Sequence, residues 1–102
     1  MSEYLTLDPA DFTVDELESA ARGESPKLTA PKAVILLRAK LGDQFAVERL
    51  LEIADTSGFD SRARETAIHQ LGEIPDTRPQ LQQLTQNVNP SIAALARQTL
   101  ER

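Results

Sequence analysis

His69 is the sole histidine of a 102-residue chain that contains no cysteine, and these two counts decide most of the chemistry open to it. A protein-held metal needs three or four ligands at set spacing, and His69 has no second His and no Cys to supply them, so no metal centre is expected. The absence of Cys also removes thiol nucleophiles and any disulfide framework. The carboxylate pairs Asp15 with Glu16 and Glu48 with Glu52 are close in sequence but fall on helix faces expected to be exposed, where nothing displaces their pKa toward acid–base work. Glycines 23, 42, 58 and 72 are isolated, each placed where a helix is expected to close, so no loop cradles a phosphate. Eleven Lys and Arg scattered among sixteen acids, with a net charge of −5 and four aromatics, argue against a nucleic-acid partner. Neither an enzyme nor a cofactor carrier emerges from these residues. What remains is a surface: Arg62, Glu65 and His69 recur at spacings of three and four, one face of a helix.

That helix is the best-defined element of the chain. Ala63, Ala67 and Leu71 form its opposite stripe at a spacing of four, Asp60 and Ser61 stand where an N-cap belongs, and Gly72 marks its expected end. Small residues on an inward stripe predict a helix squeezed between neighbours. Thr13-Val14-Asp15-Glu16 is a capping box opening a short helix that closes near Arg22 and Gly23. Thr29 caps a helix with Pro31 in its first turn and an apolar run from Ala33 to Leu37, which requires cover on more than one face. Gly42-Asp43 predicts a tight turn into an amphipathic helix, 44–55, whose inward residues are Val47, Leu50, Leu51 and Ala54. A helix over 77–88 is expected to bury Leu81, Leu84 and Val88 beneath Gln80, Gln82, Gln83 and Gln86, with Pro79 tolerated in the first turn. Asn89-Pro90 opens a last helix with Ile92, Ala96 and Leu100 inward. No sustained alternation competes with the helical period.

The length suits one domain, 1–102, in which 1–28 form an N-terminal strap around Tyr4, Leu5, Leu7 and Phe12 plus a capping helix. The leading residues show no basic stretch followed by an apolar run, and no segment approaches the ~18 apolar residues of a membrane span, so a soluble cytoplasmic protein without a membrane partner is expected.

The helices repeat. Leu41-Gly42 and Leu71-Gly72 are 30 residues apart and Leu71 and Leu100 are 29 apart. Ala33, Ala63 and Ile92 then correspond, as do Leu37, Ala67 and Ala96, and the intervening helices match through Leu51 with Leu81 and Ala54 with Leu84. Two antiparallel helices repeated at about 30 residues are the pattern of an α-solenoid.

Asp60, Ala63, Arg64, Ala67, Leu71 and Gly72 resemble the core of a HEAT repeat, in the short form of phycobilisome-lyase-like proteins. The resemblance covers residues 29–102 and departs from the family where Val34 and Ala93 replace the Arg and Ala30 and Asn89 the acid, so Arg64 is expected to act as a single local brace. It implies an all-α, right-handed stack of about six helices, with an N-terminal cap and about two and a half units. It further implies that the motif-bearing helices line a concave protein-binding face, which here comprises Lys32, Arg62, Glu65, His69, Ser91, Ala94 and Gln98. The function implied is a non-catalytic adaptor or assembly factor. Another reading of the same resemblance is a small accessory or lyase-like protein handling a bilin or other cofactor. Ile92, Leu95 and Leu100 occupy more than one side of the C-terminal helix, and from them a third reading is a structural homo-oligomer, a possible homodimer formed through that helix.

Overall fold

A computed structural model of the chain describes residues 8–102. Tyr4, Leu5 and Leu7 of the expected strap lie outside them. Asp8 caps a 3₁₀ turn at Pro9–Asp11, and Phe12 packs half-buried against the core. Six α-helices follow, α1 (Val14–Ala21), α2 (Ala30–Leu41), α3 (Asp43–Asp55), α4 (Ser61–Glu73), α5 (Arg78–Leu84) and α6 (Pro90–Leu100), with no strand among the described residues.

Local chemistry sets most of the boundaries. The capping box of α1 makes both its bonds, Glu16 N–H to Thr13 Oγ1 at 3.1 Å and Thr13 N–H to Glu16 Oε1 at 2.8 Å. Thr29 accepts from Lys32 N–H and Asp60 from Arg62 N–H, at 3.4 and 2.9 Å, and Asn89 accepts from the amides of both Ser91 and Ile92. Each cap satisfies donors that the first turn of a helix leaves orphaned. Gly42 alone joins α2 to α3, at φ +81° and ψ 152°, a conformation closed to residues with a Cβ.

Three expectations are corrected. Gly72 does not close α4, which runs through it to Glu73; a Cβ at position 72 would meet Thr99 Cγ2 of α6 at 2.6 Å, so glycine serves close helix packing instead. Helix α5 has seven residues and stops at Leu84, leaving Val88 98% exposed instead of buried. Pro90 forces Asn89 into extended backbone, and Asn89 must cap α6, so the chain leaves the helix early. On α3 the fully inward residues are Ala46, Leu50, Ile53 and Ala54, while Val47 and Leu51 are half-buried. The stripe is broader than expected because α3 packs against α2, α4 and α5 together.

Helices α2, α4 and α6 lie side by side in that order, with α1 and the Pro9–Asp11 turn against α2, and α3 and α5 pack behind them. Two contacts give their direction. Arg38 near the end of α2 donates to Gln70 and Glu73 near the end of α4, and Gly72 of α4 stands against Thr99 of α6, so the three C-terminal ends lie together. Asp55 at the end of α3 likewise accepts from Asn87 just past α5, at 2.7 Å. The molecule measures 43 × 25 × 21 Å. Ala63, Ala67 and Leu71 are wholly buried, as are Leu17, Leu37, Leu50, Ile53, Ile68 and Leu84. No helix among the described residues is long and apolar enough to cross a membrane.

Candidate functional site

The seven candidate docking residues all fall on α2, α4 and α6. Lys32, Arg62, Glu65, His69, Ser91 and Gln98 are exposed and Ala94 is half-buried. Burial of Ala63, Ala67 and Leu71 on the opposite stripe turns Arg62, Glu65 and His69 outward. The parallel direction of the three helices sorts the residues by height. Lys32, Arg62 and Ser91 occupy the N-terminal turns, Glu65 and Ala94 the middle, and His69 and Gln98 the C-terminal part.

Two further positions of this surface were not among the residues expected from the sequence. The period of 30 places Ile35 at the height of Glu65 and Ala39 at that of His69, and both are exposed. Ile35 is 42% exposed, one of three large apolar side chains open to solvent among the described residues, with Phe45 and Val88. The repeat register was the signal that could have found it.

Around this surface the side chains are braced from behind. Arg64 is only 6% exposed, and its guanidinium donates to Ala54 O at 3.0 Å and to Asn87 Oδ1 at 3.4 Å. A cation set against the carbonyls that end α3 is favoured by the helix dipole as well as by the bonds themselves. Asn87 in turn holds Asp55, so Arg64 ties α4 to the ends of α3 and α5. Arg38 is a second brace that the sequence did not disclose. Its fork meets both carboxylate oxygens of Asp43, at 2.8 and 3.1 Å, and reaches Glu73 at 2.8 Å. The hydrogen bond from Arg38 holds the Asp43 carboxyl below its ordinary value, and the Asp43 bond raises Arg38 in return. Glu18 pairs with Arg49, joining α1 to α3, and Arg22 sits 4.8 Å above the Phe59 ring.

No family model matches this chain, and no curated protein or solved structure is similar to it. Its function therefore has to be read from its own surface. Among the described residues no group of three or more His, Cys, Asp or Glu is placed to hold a metal ion, and His69 stands exposed on α4. The carboxylates Asp15, Glu48 and Glu52 are exposed, and Glu16 is occupied in its capping box. Two shallow clefts, about 420 and 220 Å³, lie beside α1 and at the C-terminal end of α6, and neither includes any of the seven candidate residues. The arrangement is an open, largely polar surface across three parallel helices.

Proposed function

We propose that this chain is a non-catalytic, cytoplasmic protein-binding module, an adaptor or assembly factor that docks a partner on the outer side of α2, α4 and α6. The observation that carries the reading is the exposure of six of the seven candidate residues on three parallel helices packed side by side, backed by a row of fully buried small and branched side chains. A rigid support of this kind suits docking because little conformational entropy is lost when its side chains are engaged.

The fold behind the surface is a short α-solenoid of HEAT-like hairpins with an N-terminal helical cap. Support comes from the two parallel sets, α2 with α4 and α6, and α3 with α5, recurring at the same period as the sequence. Capture from native cell extract tests the function. The wild-type chain is expected to retain a partner that the Arg62→Glu, Glu65→Arg double variant loses while keeping its helical circular dichroism. Equal recovery by both proteins would remove this face from the interface.

A further inference from the structure

Charge is unevenly distributed between three of the helices and the rest of the chain. Helices α2, α4 and α6 together carry six Lys or Arg against two Glu, a net +4, whereas the rest of the chain holds five Lys or Arg against fourteen acids, a net −9. Of the six cations Arg38 is engaged by Asp43 and Glu73 and Arg64 is buried, which leaves Lys32, Lys40, Arg62 and Arg97 exposed. Of the two acids of these helices, both exposed, Glu73 is paired with Arg38 and Glu65 lies on the candidate face; Arg62 also lies 3.7 Å from the capping Asp60. The N-terminal ends of the three helices lie together near Lys32 and Arg62 and add partial positive charge.

Resting on the docking reading above, we infer that the partner presents an acidic segment carrying an aliphatic or aromatic residue, its carboxylates meeting Lys32 and Arg62 and its apolar residue covering Ile35. Ile35 stands one turn beyond Lys32 on α2, so a carboxylate and an apolar side chain one turn apart on the partner match them both. Nucleic acid fits less well. Helices α2, α4 and α6 contain no Phe, Tyr or Trp on which a base could stack, and Glu65 lies in the middle of the face.

The probe is a fluorescent helical peptide of roughly twenty residues built from Glu and Leu at helical spacing, compared by anisotropy with the same peptide carrying Gln for Glu. The Glu peptide is expected to bind at least about tenfold more tightly than the Gln peptide, and to weaken as ionic strength rises from about 0.05 to about 0.3 M. Lys32→Glu with Arg62→Glu should lower its affinity about tenfold or more, Ile35→Ser should also weaken it, and Glu48→Lys with Glu52→Lys on α3 should not. No preference for the Glu peptide, indifference to the Lys32 and Arg62 reversals, or tighter binding of single-stranded DNA of similar length to the same residues would each overturn the inference. Self-association abolished by the same reversals would also overturn it, by assigning the face to a second copy. A partner from cell extract whose capture still depends on Arg62 and Glu65, together with no binding of the Glu peptide, would leave the docking surface standing and remove only its acidic partner.

Discussion

Arg64 and Gly72 are the two residues whose roles depend most on what lies across from them. Arg64 is buried with its guanidinium bonded to Ala54 O and Asn87, so truncation removes charge-assisted bonds and takes the side-chain donor from Ala54 O. Arg64→Ala is expected to destabilise the fold by about 3 kcal/mol in chemical denaturation. Gly72 presents two opposing effects. Alanine gains about 1 kcal/mol of helix propensity, while forcing a Cβ against a stiff, β-branched neighbour costs about 1–3 kcal/mol. With Thr99 Cγ2 only 2.6 Å away, the clash wins, and Gly72→Ala should lower stability. Thr99→Ser removes that methyl and keeps the hydroxyl that donates to Leu95 O, so the double variant should lose less than the two single losses combined. A strictly additive double variant would contradict the close approach.

At the scale of elements, caps written within three or four residues were readable, and contacts that close a joint between helices were not. Thr13 with Glu16, Thr29 with Pro31, Asp60, and Asn89 with Pro90 all start helices where their types predict, because a cap is a local bond between a side chain and its own first turn. The joint of α2, α3 and α4 rests instead on Arg38 gathering Asp43, Gln70 and Glu73, up to 35 positions away. Asp43 has its folded pKa lowered from 3.8, chiefly by the Arg38 hydrogen bond. A depressed carboxyl contributes stability above its unfolded pKa and loses it as the pH falls through the folded value. Wild type should therefore melt above Asp43→Asn near neutral pH, with the gap closing in acid below 3.8. A gap that stays constant down to strongly acidic pH would show that the carboxylate does not hold this joint.

At the scale of the whole molecule, the buried stripe of α4 joins both sets of helices. Leu71 is completely buried where α4 meets its neighbours, and Leu71→Ala should cost ~2–5 kcal/mol. For a domain of this size that lowers the thermal midpoint by about 10 °C or more. An unchanged midpoint would invalidate the register that aligns Leu41, Leu71 and Leu100. The same packing brings cations from separate parts of an acidic sequence onto the adjacent helices α2, α4 and α6.

From residue order alone came the helical class, the caps, the period near 30 and the outward face of Arg62, Glu65 and His69, since each depends on bonds or periodicities spanning a few residues within one helix. Folding alone determined that Gly72 serves contact and not termination, that Val88 stands in solvent, and that Arg38 locks three helices. These depend on which side of one helix another occupies. That relation is set by close packing between residues far apart in the chain, and a periodicity read along one helix does not contain it.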